Sequence, residues 1–122
     1  MPRLILDESQ LHPAIRDRVA NLHADIVHNV RSAAASNPVL VVGMAWNTPG
    51  RQVRSALKAA GIPFQYLEFG NYLSQWRRRN ALKMWTGWPT FPMVFVKGQL
   101  VGGASDTRKL IDSGELKRLL GQ

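Results

Sequence analysis

Apolar positions along the chain fall into two repeating patterns. From Pro13 to Ala34, Ile15, Val19, Leu22, Ile26 and Val30 recur at spacings of three and four, which predicts one face of a helix. Pro13 suits its first turn, and Asn37-Pro38 ends it. Val39-Leu40-Val41-Val42 is apolar without alternation, as a central strand covered on both faces requires. After a loop over 43–50, Val53, Ala56, Leu57 and Ala60 mark a second helix, with Arg51, Arg54 and Lys58 on its outer face and Gly61 closing it. Residues 62–69 read as a second strand, which makes a right-handed βαβ unit with parallel strands. A third helix is expected over about 72–85. Trp88-Pro89-Thr90-Phe91-Pro92 cannot be helical. Met93 to Val96 and Leu100 to Gly102 then form a hairpin about Lys97-Gly98-Gln99. A last helical region, capped by Ser105 or Asp106, runs to about Leu120 with a break near Ser113-Gly114. The order α-β-α-β-α-β-β-α predicts a four-stranded mixed sheet flanked by helices, in the α/β or α+β class.

Composition narrows the chemistry. The 122 residues fit a single domain, residues 1–122, with an N-terminal helix over 13–35 and a core over 39–120. There is no cysteine, which excludes disulfides, thiolate metal ligands and a cysteine nucleophile. His23 and His28 lie five apart, about 140° around a helix, and do not converge on a metal. The formal net charge of +8 is spread along the chain, with one dense point at Arg77-Arg78-Arg79. Such a surface attracts anions of many kinds without sequence specificity. No run approaches the ~18 apolar residues of a membrane span, and the N-terminus is too short in apolar residues and too acidic for a secretory signal. A cytoplasmic protein without a membrane partner is the expectation.

Several stretches resemble the glutaredoxin family. Leu57-Lys58-Ala59-Ala60-Gly61-Ile62-Pro63-Phe64 is similar to the end of the first glutaredoxin helix and the entry to its second strand. Thr86 to Gly98, with Trp88-Pro89-Thr90-Phe91-Pro92 at its centre, is similar to the matching stretch of monothiol glutaredoxins. Leu100 to Asp106 fits their hairpin and glycine pair, and Ser113-Gly114-Glu115-Leu116 their C-terminus. The resemblance covers roughly residues 13 to 120 and implies a thioredoxin-like, glutaredoxin-type fold with an extra N-terminal helix.

What the resemblance implies about activity divides in two. The family works through a cysteine at the mouth of its first helix, where the helix end favours the thiolate. Counting back from Leu57 puts that position at Asn47 and a second, resolving position at Gly50; a gap in the loop would instead move the first towards Gly50. Neither residue carries sulfur. A lysine that precedes the reactive loop in the family corresponds to Met44. The other half of the family's glutathione site is present. It implies Thr90 and Phe91 before a cis-Pro92, Arg79 for the glycine carboxylate, Gly103 for close approach, and Ser105 and Asp106 for the γ-glutamyl end. The expected function is therefore that of a glutaredoxin-like protein without a reactive thiol. It needs no cofactor and has glutathione, a thiol-bearing peptide or an unnamed protein as partner. Two other readings stand beside it. One is a nucleic-acid-associated protein using Arg77 to Arg79 with Trp76, Trp85 and Trp88, for which no nucleic-acid motif is present. The other is the family's own glutathione-dependent disulfide oxidoreductase, serving electron transfer and redox homeostasis, which the missing thiol opposes.

Overall fold

Strand β1, Val39–Gly43, is buried along its whole length, and the rest of the fold is arranged around it. The computed structural model describes residues 2–122. Strand β2 (Gln65–Glu68) lies parallel to β1 on one side, and β3 (Met93–Val96) lies antiparallel to it on the other. Strand β4 (Gln99–Gly102) pairs with β3 and completes the order β2-β1-β3-β4. Lys97 and Gly98, at φ 51° and 79°, make the two-residue turn that joins β3 to β4.

The continuous apolar run of β1 is explained by a core on each face. Leu40, Val42, Met93 and Phe95 point to one face, where they meet Ile26, Val30 and Leu82. Val39, Val41, Val94 and Val96 point to the other, where they meet Val53, Leu57 and Leu116. Helices α2 (Ala24–Ser36) and α4 (Trp76–Thr86) supply the first cover. Helices α3 (Thr48–Ala59) and α6 (Glu115–Leu119) supply the second, with α5 (Ala104–Asp112) packed beside α3. Ser113-Gly114 separates α5 from α6, as the sequence predicts, with Gly114 at φ 78°.

Three expectations need correction. The segment from Pro13 to Ala34 is two helices: α1 covers Pro13–Asn21, and α2 begins after His23, which sits at φ 46°. Ile26 and Val30 are buried, but Ile15, Val19 and Leu22 are 37%, 50% and 49% exposed, because the break turns α1 away from the sheet. The third helix starts at Trp76 rather than near Tyr72. Asn71 folds the preceding residues into a turn: its Oδ1 accepts the Leu73 N–H at 2.8 Å, and its carbonyl accepts the Ser74 N–H. The second strand is shorter than 62–69, because Ile62 is held by the Leu57 carbonyl in the helix exit.

Candidate functional site

Three chain segments meet at one end of the sheet. The first is the start of α3. Asn47 is its N-cap residue: Oδ1 accepts the Gly50 N–H at 2.8 Å, and Nδ2 donates to the Tyr72 hydroxyl at 3.4 Å. Pro49 lies in the first turn, which contains no acidic residue, so the positive end of the helix dipole is uncompensated. A Cβ on Gly50 would lie 3.0 Å from Asn47 Oδ1, so glycine at that position leaves room for the cap. Met44 is buried in the same core cluster as Phe69 and Phe91 and takes no part in the surface of this end.

The second segment leads into β3. The Phe91–Pro92 peptide bond is cis. Thr86 prepares this approach: its hydroxyl accepts the Trp88 N–H at 3.1 Å and donates to the Leu82 carbonyl at 2.8 Å. The third segment is the glycine pair before α5. Gly102 sits at φ 121°, and a Cβ there would come within 2.5 Å of Asp106 Oδ2. A Cβ on Gly103 would lie 3.4 Å from the Pro92 carbonyl oxygen and 3.5 Å from Trp88 Nε1. That close approach brings the α5 start against the Phe91-Pro92 turn. The Trp88 Nε1 is buried there with no hydrogen-bond partner among the described residues.

Between these segments lies a groove of about 630 Å³. Thr90, Phe91, Pro92, Gly103, Ser105 and Asp106 all line it, joined by Pro49, Gln52 and Val53 of α3, by Trp88 and by Arg108. Six of the seven residues singled out for glutathione thus share one cavity. Gln52 and Arg108 are additions that no sequence motif marks; they reach the groove because α3 and α5 lie side by side. The expected cap of α5 is also corrected. The helix begins at Ala104 with Gly103 as the N-cap residue, and Asp106 in the first turn accepts the Gly103 N–H at 3.1 Å. Ser105 is free of that task and exposed on the groove wall.

Arg79 lies elsewhere. It is only 6% exposed, and one guanidinium nitrogen donates to the carbonyls of Phe69 and Ser74. Burial pulls its pKa below the usual arginine value, and the Tyr72 phenol nearby opposes that shift. The arginine clamps the 69–74 turn, and Tyr72 in that turn is the residue that meets Asn47. Arg79→Met leaves one buried carbonyl, Phe69, and one part-buried carbonyl, Ser74, without a charged donor. Unfolding in urea should show a loss of about 1.5–3 kcal/mol, and an unchanged midpoint would contradict the clamp. The other members of the triplet face different ways. Arg77 lies over the Trp76 ring, and Arg78 pairs with Asp25 at 2.8 Å and with Gln75 at 2.7 Å. Trp85 stacks on Phe95 with ring centroids 6.3 Å apart. No group of three or more His, Asp or Glu side chains among the described residues is arranged to hold a metal ion. Among the same residues, no helix is long and apolar enough to cross a membrane.

Comparison with known proteins agrees with this geometry. The family description "Glutaredoxin" matches residues 48–101, from the first turn of α3 to β4. A "Glutaredoxin-like protein" of Dictyostelium discoideum is 43% identical over 102 residues, which cover 84% of this chain and 83% of the relative. This chain belongs to the glutaredoxin family. The chloroplastic monothiol glutaredoxin-S12 of Arabidopsis thaliana is 34% identical over 94 residues, 76% of this chain, and the match spans about half of that relative (52%). Among solved structures, a buckwheat glutaredoxin–glutathione complex superposes with a TM-score of 0.70 at 21% identity, covering 83% of this chain and 92% of that one, which shows the common fold. The α/β arrangement is therefore the glutaredoxin-type thioredoxin fold, with a four-stranded mixed sheet, flanking helices and added N-terminal helices. This chain has no cysteine.

Proposed function

We propose that this glutaredoxin-like protein binds glutathione, or a peptide of similar backbone, without performing thiol–disulfide exchange. The observation that carries the reading is Asn47. It stands at the mouth of α3, where the family resemblance puts the reactive thiol, and its side chain is spent on capping the helix. Exchange begins when a thiolate attacks a disulfide sulfur and forms a mixed disulfide. A carboxamide has no such nucleophile. The first turn of α3, where the Thr48 hydroxyl stands, holds no acidic residue to take its proton. Iron–sulfur ligation by this chain is opposed on the same ground, since the cluster would need a protein thiolate.

Binding is supported by the groove that remains. In this reading the backbone of Phe91 pairs with the ligand as with an added strand, Thr90 and Pro92 border it, and Gly103 lets it approach closely. Ser105 and Asp106, with the first turn of α5, receive the γ-glutamyl amine and carboxylate. Arg79, held on its two carbonyls, supports the turn rather than the ligand's glycine carboxylate. No cofactor is required. Isothermal titration with reduced glutathione tests the proposal: a saturable heat is expected, and a flat trace would remove glutathione as the ligand.

A further inference from the structure

We propose that a second copy of this chain covers the apolar face made by residues 2–22 and the end of α4, with Leu4-Ile5-Leu6 of each copy laid in a groove of the other. The proposal is independent of the glutathione reading. Among the described residues, none from 2 to 22 is buried, although Pro13–Asn21 is a regular helix. Leu4, Ile5 and Leu6 are 99%, 71% and 61% exposed. Three adjacent aliphatic side chains in water differ from the scattered single exposures of an ordinary surface, and such patches mark contact sites. A groove of about 380 Å³ lies between α1, α2 and α4. Val19 and Leu22 of α1, Val27 of α2, and Met84 and Trp85 of α4 line it. Val19, Leu22 and Met84 are about half exposed there, so the groove is an apolar hollow without a cover.

The Leu4-Ile5-Leu6 segment is held near its own groove but outside it. Arg3 donates to the Trp85 carbonyl at 3.4 Å, and its guanidinium lies over Gly87, where a Cβ would come within 2.7 Å of Nε. At the other end, Asp7 accepts the Ser9 N–H at 2.8 Å, and Arg16 Nε donates to the Leu11 carbonyl at 2.9 Å. Both flanks are tied down, and the three apolar residues between them face solvent. A two-fold pair uses the same patch on both copies, so that patch must hold a projection and the hollow that receives it. This face holds both. Its charge fits as well. Three basic and three acidic side chains cancel within residues 2–22, so the net charge of +8 is carried by the rest of the chain. Two copies therefore meet here without the like-charge repulsion that other faces would impose. The extent is also sufficient: a standard interface takes about 20–30 residues a side, which residues 2–22 and the end of α4 supply. The groove beside Phe91-Pro92 shares no lining residue with this one, so pairing and ligand binding are read separately.

Sedimentation equilibrium tests the proposal. The mass should rise with concentration towards twice the chain mass of 13.6 kDa, with a Kd in about the micromolar range. Leu4→Asp combined with Ile5→Asp should weaken the pair at least about tenfold, since each change counts twice across the two-fold axis. Circular dichroism should stay native, because both side chains are exposed in the single chain. Leu73→Asp, at a leucine 84% exposed outside this face, should leave the Kd unchanged. The absence of cysteine allows a direct test of the exchange. Under mild oxidation, Ile5→Cys mixed with Met84→Cys should form a disulfide-linked pair, and Ile5→Cys mixed with Leu73→Cys should not, because the bond forms only between residues brought close together. A single-chain mass up to about 1 mM would overturn the proposal, as would a pair indifferent to the double variant or equal cross-linking in the two mixtures. So would a monomer that binds phosphatidylcholine vesicles through Leu4 and Ile5, which would assign the face to a lipid surface.

Discussion

Asn47→Cys should give this protein a disulfide reductase activity. In a hydroxyethyl disulfide assay with glutathione, the unaltered chain is expected to run at the buffer rate and the variant clearly above it. The magnitude follows from where the new thiol would stand. A free cysteine has a pKa of about 8.5, and one at a helix N-terminus can fall to about 3.5–7.5. At pH 7 the thiolate fraction then rises from roughly 3% to a quarter or more, about a tenfold gain over an unassisted thiol. The first turn of α3 has no acidic residue to oppose that shift, and Tyr72 stands within reach of the same side chain. The substitution removes the cap on Gly50 and should cost about 1 kcal/mol of stability. Gly50→Cys is the control for the alternative register. Its Cβ would lie 3.0 Å from Asn47 Oδ1, on the buried side of the helix start, and no turnover is expected. A folded Asn47→Cys protein with no activity, beside an active Gly50→Cys protein, would move the reactive position by three residues.

Leu40→Ala should destabilise the protein more than Arg79→Met or Asn47→Cys. Leu40 is fully buried in the central strand, inside the cluster that joins α2 and α4 to the sheet. Truncation of a buried leucine costs about 2–5 kcal/mol. A domain of this kind has about 5–15 kcal/mol in all. The melting temperature should fall by many degrees, and at the upper end the variant would not stay folded at 37 °C. Ile15→Ala provides the contrast. Its side chain belongs to the same three-and-four spacing as the buried Ile26 but lies on the part of the N-terminal segment that turns away from the core, 37% exposed. A change within about 0.5 kcal/mol is expected. Similar losses for the two variants would mean that α1 packs more tightly than the structure has it.

That pair of residues also shows how far sequence reading reaches. Strand β1 was legible because apolarity on consecutive positions has one simple cause, a sheet covered on both sides. The β3–β4 hairpin and helix α3 were legible for similar reasons: a two-residue turn with glycine, and a closing Gly61. The N-terminal segment was not. A reversal of backbone sign at His23 changes the direction of the helix without disturbing the spacing of apolar residues, so periodicity runs through the break unseen. The start of α4 was misplaced because the Asn71 turn competes with helix over residues 72–74. The resemblance singles out Thr90, Phe91, Pro92, Gly103, Ser105 and Asp106, and these six line one groove. Arg79 shows the limit. Three arginines in a row look alike in sequence, and only the fold gives one of them two carbonyls to hold. Gln52 and Arg108 carry no motif, and nothing short of the packing of α3 on α5 brings them together.

The amide at the mouth of α3 has a consequence for the conditions under which this protein keeps its shape. A thiolate cap would come and go with pH and would be lost to peroxide. A carboxamide neither titrates nor oxidises in that range, so α3 begins in the same way in a reducing or an oxidising medium. The sulfur left among the described residues is methionine, with Met44 and Met93 buried and Met84 on the surface. On the proposed function, the start of α3 would present itself to a ligand in the same way whatever the redox state of the medium.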